Sequence, residues 1–281
     1  MKLRSVPHQL CIVRYFSRHK DTIMAEELRI LQAQADLAEG RFVRKDGRDF
    51  NSHRPLEVTL DPIKTADGSC LVRFGNTCVL CGLRAEIAEK QLGDPFQDIN
   101  ISVQAQLPFK NIGASGPSEE EQALSQRLQD ILLSCSAFPS RRISERFSWL
   151  LHVTITCLDS DGNLLGASLA AISGALSCLK LPAARHDEEE DTLVVGNNYE
   201  KVALVELPIG VTFGIINKSL VVDMTHEEQL LARGESCVVL DSKGEVVHLA
   251  KLGGVPMPAT EIATMLSKAL EHAKEIRNVL K

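Results

Sequence analysis

Asp223 has the sequence surroundings that most strongly suggest chemistry. It follows the apolar run Leu220-Val221-Val222 and precedes Thr225-His226-Glu227-Glu228, where Thr225 and Glu228 have the spacing of a helix capping box. A carboxylate at a strand end beside a helix N-terminus is a plausible metal-ligand position. The alternative interpretation is a solvated aspartate at a turn, and the sequence leaves both open.

A run of three acids, Glu119 to Glu121, follows the Gly- and Ser-rich loop Lys110 to Pro117. Ser118 and Glu121 again have capping-box spacing, which predicts a helix start at this point. Carboxylates have no hydrogen-bond donors and repel other anions, while in a first helical turn they also stabilise the helix through its dipole. The pattern therefore predicts a helix N-terminus that does not bind phosphate.

Two other patterns resemble metal sites but have simpler explanations. Cys78 and Cys81 form a Cys-x-x-Cys pair within a run of strand formers, where an odd spacing points the two side chains to opposite faces. The sequence holds no second pair with ligand spacing, so we expect no zinc or thiol site. Asp159, Asp161 and Asn163 have part of a calcium-loop pattern, but the glycine is misplaced and the required bidentate glutamate is missing. They predict a β-turn.

Five basic residues are the candidates for contact with the phosphates of a nucleic acid. Arg84 follows a predicted core strand, Lys110 begins the Gly-rich loop, and Arg141, Arg142 and Arg146 precede a predicted strand. Clustered lysine and arginine neutralise phosphates. The alternative is that these are solubilising surface residues.

The elements that position these residues run as strands followed by helices, in both halves of the chain. Turn chemistry at Asp67-Gly68 and Gly75-Asn76 divides residues 45–86 into three β-rich runs, which predicts an antiparallel meander. Alternating or apolar runs predict seven further strands, at Ile99–Leu107, Trp149–Leu158, Val202–Leu207, Val211–Ile216, Leu220–Val222, Cys237–Leu240 and Val246–Leu249. Helical periodicity predicts helices at Glu26–Ala38, from Ser118 onward, at Leu165–Leu179 and at Thr260–Leu280. This order indicates an α/β (α+β) fold in which two mixed β-sheets are covered by helices.

The acidic stretch from His186 to Asp191 is the best candidate for a domain boundary, because it reads as a poorly structured connector. It predicts an N-terminal domain of residues 24–185 with a leading helix, and a C-terminal domain of residues 192–281. Residues 1–23 form a basic extension, since the first twenty carry five basic residues and no acid. An organellar transit signal is the alternative interpretation of that extension.

Composition limits the classes of function. The chain of 281 residues has a net charge of −6, and the part after the first twenty residues carries −11, which argues against one broad basic face for nucleic acid. Eight scattered cysteines suit a reducing compartment. No apolar run is long enough to cross a bilayer, so we expect no membrane partner and a soluble nuclear or cytosolic protein.

Several segments together resemble the ribonuclease PH family. The specific motifs are the Arg-x-Asp-Gly-Arg turn, the Ala-Asp-Gly-Ser hairpin, the Gly-Asn-Thr entry to a long strand, an Asp-x-Asp-Gly turn and the Asp223 segment. They stand at Arg44–Arg48, Ala66–Ser69, Phe74–Thr77, Asp159–Gly162 and Val222–Glu228. The resemblance covers nearly everything from Met24 to the C-terminus and implies the two-sheet fold of that family.

The resemblance also implies where catalytic residues would stand. Active members hold phosphate and RNA with two arginines, and Glu119 and Glu120 occupy those positions here. Active members also use two acids with a divalent ion for phosphorolysis. Asp223 matches the first acid, and Gln229 stands in place of the second. The comparison implies no catalytic residue, no cofactor and no bound metal, with Asp223 as a relic of the ancestral site. The rival hypotheses are an active phosphate-dependent 3′–5′ exoribonuclease and an RNA chaperone that acts alone.

The leading helix before Arg44, the absence of the two arginines and the incomplete acid pair together resemble the non-catalytic branch of eukaryotic RNA exosome ring subunits. The resemblance implies a hetero-oligomeric ring with other ribonuclease PH-type subunits, capped by S1 and KH domain proteins. Such a ring guides single-stranded RNA towards separate hydrolytic nucleases in 3′–5′ processing and decay, including ribosomal RNA maturation and messenger RNA turnover. The implied location is the nucleus, including the nucleolus, and the cytoplasm.

Overall fold

The structure is a computed structural model. It describes residues 43–89, 99–108, 116–135, 143–144, 146–187, 192–202, 207–216, 219–253 and 256–280. The predicted extension 1–23 and the predicted helix Glu26–Ala38 lie outside the described residues. The α/β fold class is confirmed, with two main sheets and four described helices.

The first sheet has five strands in the order β1-β2-β3-β5-β4. The strands are β1 Leu56–Leu60, β2 Gly68–Phe74, β3 Thr77–Glu89, β4 Ile99–Gln106 and β5 Phe147–Asp159. β1, β2 and β3 pair antiparallel in sequence order, so the predicted meander is confirmed. β3 also pairs antiparallel with β5, while β4 pairs parallel with β5 at the sheet edge. This sheet is therefore mixed, as predicted.

Period-two alternation explains which face of this sheet is buried. On β3, Val79, Cys81 and Leu83 are buried while their neighbours are partly exposed. Helix α1, Glu119–Ser134, lies beside β4 and contributes Leu124, Leu128, Ile131 and Leu132 to the core.

The second sheet has four strands in the order β11-β10-β8-β9. The strands are β8 Ile209–Ile216, β9 Ser219–Val222, β10 Glu235–Leu240 and β11 Val246–Leu252. All pairings among the described strands of this sheet are antiparallel, so the prediction of a second mixed sheet is wrong for this part of the chain. Short connections account for two of these pairs, β8 with β9 and β10 with β11, because parallel neighbours need a crossover of about a dozen residues or more.

A buried helix joins the two sheets. Helix α2, Leu164–Ser177, contacts β2 and β3 of the first sheet and β8 of the second. A side chain at Gly174 would clash with Cys70 on β2, so this glycine permits the close approach of helix and sheet. Helix α3 is the short His226–Leu231, and helix α4, Ala259–Val279, packs on β8 and β10. Residues of both halves consequently share one hydrophobic core.

The expected acidic connector is partly a β-hairpin. Strands β6, Lys180–Asp187, and β7, Thr192–Lys201, pair antiparallel, with His186 opposite Leu193 and Asp187 opposite Thr192. The prediction that residues 186 and 187 are unstructured is therefore wrong, because the apolar flanks of the acidic run pair as strands. Val202 and Leu207 are not in strands, and 203–206 lie outside the described residues. The boundaries of domains 24–185 and 192–281 stay a prediction. Among the described helices, none combines the length and apolar character needed to cross a membrane.

Candidate functional site

Asp223 is buried between the two halves of the chain. Its residue is 2% exposed, so the interpretation as a solvated turn aspartate is wrong. Its backbone has a φ of 49°, in the left-handed region that aspartate tolerates better than most residues. The carbonyl of this strained residue accepts hydrogen bonds from Arg44 Nη2 at 2.8 Å and Arg48 Nη1 at 3.3 Å.

Five hydrogen bonds converge on the Asp223 carboxylate. Oδ2 accepts from the Arg54 backbone N–H at 2.7 Å, Arg54 Nε at 2.9 Å and Arg48 Nη1 at 3.2 Å. Oδ1 accepts from Arg54 Nη2 at 2.8 Å and Asn163 Nδ2 at 2.5 Å. A carboxylate has about four lone-pair sites, so these donors saturate it. The arrangement gives Asp223 a structural role in holding arginines, and a metal ion would have to displace them.

A second buried ion pair lies beside Asp223. Arg44 Nε and Nη2 donate to Glu228 Oε1 and Oε2 at 2.8 and 2.9 Å, a forked geometry that guanidinium and carboxylate share. Arg44 Nη1 also donates to the carbonyl of Val222 at 3.1 Å. Glu228 completes the predicted capping box of α3 by accepting from the Thr225 N–H. We call Arg44, Arg48, Arg54, Asn163, Asp223 and Glu228 the Asp223 cluster.

The predicted β-turn after β5 forms one wall of the Asp223 cluster. Arg54 Nη1 donates to the carbonyl of Asp161 at 2.7 Å, and Asn163 Oδ1 accepts from Thr212 Oγ1 at 2.6 Å. Gly75, with a φ of 56°, lies against Arg54, and a Cβ there would approach Arg54 Cδ to 2.6 Å. The turn, the β2–β3 hairpin and the second sheet thus meet at the same arginine.

Acid should weaken the fold through Asp223. Burial alone would favour the neutral acid, but hydrogen bonds and charge from Arg54 outweigh it and hold the pKa of the Asp223 carboxyl below its usual range. The stabilisation is therefore complete above the unfolded pKa of about 3.9 and is lost as pH falls through the lower folded pKa. In urea unfolding, the free energy of unfolding of the wild type should fall more steeply on acidification than that of Asp223→Asn. Equal pH dependence in the two proteins would contradict this assignment.

The acids at the start of α1 have two different roles. Glu121 is buried; Oε1 accepts from the Leu107 N–H at 2.8 Å and Oε2 from the Ser118 N–H at 2.7 Å, so the predicted capping box is confirmed. Glu119 and Glu120 are exposed in the first turn. This helix start therefore presents two solvent-facing carboxylates and one that is used internally.

Gln229 lies against another acid. Its Nε2 donates to Glu235 Oε1 at 3.3 Å. Burial raises the pKa of the Glu235 carboxyl above its usual value, although Gln229 and Arg127 both act to lower it. A carboxylate at position 229 would face a second carboxylate, and like charges at contact distance destabilise each other. The amide therefore suits the present surroundings better than an acid would.

Two of the five candidate RNA-contact residues, Arg84 and Arg146, are among the described residues. Arg84 is on β3 with its side chain 77% exposed and pairs with Glu86 at 3.2 Å. Arg146 precedes β5, pairs with Glu89 at 2.6 Å and stacks over Phe147. Lys110, Arg141 and Arg142 lie outside the described residues. RNA contact by these five residues stays a prediction.

The cysteines lie mostly in the core. Cys81 is buried and Cys78 partly exposed, in an alternating strand, which confirms the prediction that they face opposite sides. Burial raises the pKa of the Cys81 thiol far above its usual value and that of Cys70 to about 12. Such thiols are poor nucleophiles and poor metal ligands at neutral pH.

Comparison with protein families gives two matches that follow this architecture. Residues 52–182 match the sequence model of the 3′ exoribonuclease family, domain 1. Residues 206–272 match domain 2 of the same family. The chain belongs to the ribonuclease PH family. The resemblance inferred from the sequence motifs is thereby confirmed.

Several ribonuclease PH relatives are named as exosome components. The chain is 31% identical to exosome complex component Rrp42 of Thermococcus kodakarensis, over 86% of this chain and 90% of that protein. It is 27% identical to exosome complex component rrp43 of Schizosaccharomyces pombe, over 83% and 87% respectively. A structure described as the Archaeoglobus fulgidus exosome with RNA bound to the active site has a chain with a TM-score of 0.78 and 27% identity. That match covers 92% of this chain and all of that chain. Rice Rrp46, at 18% identity and a TM-score of 0.64, shows the fold alone.

The sequence motifs of the ribonuclease PH family include most residues of the Asp223 cluster, but they do not indicate that these residues lie together in space. The Arg44–Arg48 turn, the Asp159–Gly162 turn and the Asp223 segment were each visible separately, while Arg54 carried no local signal. The available clue was three arginines within eleven residues of an otherwise acidic chain. Their partners lie some 170 residues away, at a distance no periodicity can bridge.

Proposed function

We propose that this chain is a non-catalytic, structural and RNA-guiding subunit of the RNA exosome core ring. It supports 3′–5′ processing and degradation of RNA, including ribosomal RNA maturation and messenger RNA turnover. Among ring subunits we favour the counterpart of the Schizosaccharomyces pombe rrp43 component. The support is its similarity to exosome components across both family domains.

The saturated Asp223 carboxylate is the observation that carries the non-catalytic assignment. The acid that the resemblance aligns with a phosphorolytic residue already accepts five hydrogen bonds from Arg48, Arg54 and Asn163. Gln229 replaces the second acid, and Glu119 and Glu120 present carboxylates where an anionic co-substrate would need cations. Together these features favour a structural role for the chain over phosphorolytic activity.

The partners of this proposal are other ribonuclease PH-type ring subunits, S1 and KH cap proteins, separate hydrolytic nucleases and single-stranded RNA. An acidic chain needs neighbours to supply a basic channel, because counterion release requires clustered cations. Arg84, Lys110, Arg141, Arg142 and Arg146 are its own proposed contributions. The exposure of Arg84 and Arg146 is compatible with that role. The proposed location is the nucleus, including the nucleolus, and the cytoplasm.

A phosphorolysis assay tests the non-catalytic assignment. The purified full chain, incubated with single-stranded RNA, inorganic phosphate and magnesium, should release no nucleoside diphosphate above a phosphate-free control. The physical reason is that the side chains at this helix start are carboxylates, which repel phosphate, and not hydrogen-bond donors that could bind it. Phosphate-dependent diphosphate release by the chain alone would establish the rival activity, a 3′–5′ exoribonuclease, and overturn the proposal.

Affinity purification of the tagged chain followed by mass spectrometry tests the ring assignment separately. Other ribonuclease PH-type chains and S1 or KH proteins should be recovered in amounts close to that of the bait. Recovery of the chain without them, together with tight RNA binding by the isolated chain, would favour an RNA chaperone that acts alone.

A further inference from the structure

Two histidines and a glutamate that are not part of the Asp223 cluster meet in a groove. His53 precedes β1, while His272 and Glu275 are one turn apart on α4. One candidate ligand atom from each side chain lies within 4.8 Å of the others. The groove has a volume of about 460 Å³ and also holds Lys268 and Glu271.

The ring nitrogens of these histidines face the same carboxylate oxygen. Glu275 Oε2 lies 2.9 Å from His53 Nε2 and 3.4 Å from His272 Nδ1. His272 is 8% exposed, and its Nδ1 makes no hydrogen bond. A buried polar nitrogen without a hydrogen-bond partner is uncommon and points to a group that completes it.

The two ring nitrogens of His53 have different partners. Nδ1 lies 2.7 Å from the carbonyl of Arg54, which can only accept, so Nδ1 donates in this contact. The other ring nitrogen, Nε2, lies 2.9 Å from Glu275 Oε2. A hydrogen bond between these two atoms leaves His272 Nδ1 without a hydrogen-bond partner, whereas a cation between the three atoms would bind all of them.

We propose that His53, His272 and Glu275 bind a divalent transition-metal ion with the preferences of zinc. Imidazole nitrogen and carboxylate oxygen bind Zn²⁺ at about 2.0–2.2 Å, which in a tetrahedron separates ligand atoms by roughly 3.3 Å. The two contacts to Glu275 are within a few tenths of an ångström of this value. The Arg54 carbonyl orients His53 from behind, as outer-shell acceptors do for metal-binding histidines.

The ion would link the segment before β1 to the C-terminal helix α4. These residues are more than 200 positions apart, and Glu275, with its side chain 62% exposed, leaves the site open to water for the remaining coordination. The proposed ligands share no side chain with the Asp223 cluster, and the backbone carbonyl of Arg54 is the contact between the two sites. Hard cations such as Mg²⁺ prefer all-oxygen ligands and should not compete.

Zinc titration of the chelator-treated full chain tests the site. Isothermal titration calorimetry should show one ion bound, with zinc raising the unfolding temperature and millimolar Mg²⁺ changing neither result. Glu275→Gln and His53→Gln should each weaken zinc binding at least about tenfold. The matched control His226→Ala, an exposed histidine on α3, should leave it unchanged.

Cobalt(II) substitution separates this site from adventitious binding to the cysteines. The expected absorption spectrum has d–d bands but no thiolate-to-metal charge-transfer band, because the proposed ligands are nitrogen and oxygen. Absence of zinc binding at about 100 μM, equal binding by wild type and Glu275→Gln, or a thiolate band would each overturn the proposal. Glu275 is a surface residue, so its variant should fold even if replacement of His272 does not.

Discussion

Replacing Asp223 with asparagine should destabilise the chain by about 3–5 kcal/mol, because it leaves buried arginines without their counter-charge. Arg54 is almost entirely buried, and its fork and backbone N–H all donate to this carboxylate. The amide would also turn an NH₂ group towards one of these donors. Urea unfolding, followed by circular dichroism, measures the change. Since domains are stable by only about 5–15 kcal/mol, partial unfolding at 37 °C is the expected consequence.

Asp130→Asn is the matched control for this change. Asp130 is an exposed residue on α1 whose carboxylate accepts from Gln126 at 2.9 Å. The same chemical substitution there should alter stability by less than about 0.5 kcal/mol. Similar losses in the two variants would show that the Asp223 cluster is no more important than a surface pair.

Arg44 and Glu228 should show strong energetic coupling in a double-mutant cycle. Arg44→Met removes a fully buried guanidinium that donates to Glu228 and to the carbonyls of Val222 and Asp223, and it strands a buried carboxylate. We expect a loss of about 3–5 kcal/mol for this single variant, and a coupling energy of about 1–3 kcal/mol with Glu228→Gln. Denaturant unfolding of the two single variants and the double variant gives the coupling.

The neighbouring pair Lys45 and Glu227 supplies an internal comparison. It joins the same two segments, but its side chains are 60% and 31% exposed. Solvent-exposed pairs contribute about 0–1 kcal/mol, so the cycle Lys45→Met with Glu227→Gln should give weak coupling. Additive losses for Arg44 and Glu228, within about 0.5 kcal/mol, would contradict a role in joining the halves of the chain.

Local pattern was enough to predict most of the elements. The meander of β1 to β3, the alternation of β4 and both capping boxes follow from short-range rules that involve a few neighbouring residues. The errors lie where pairing between strands decides the outcome. The second sheet is antiparallel and the segment around His186 is a hairpin, and neither result is a property of one strand alone.

The sequence by itself determined the family, the capped helices and the absence of arginines at residues 119 and 120, because motifs and charge are local properties of the chain. Tertiary structure decided what Asp223 and His272 do. Asp223 was equally compatible with metal binding and with solvation until folding brought Arg48 and Arg54 to it and removed the water. His272 became a candidate ligand only when α4 packed beside His53, since burial and the approach of distant side chains depend on the whole fold.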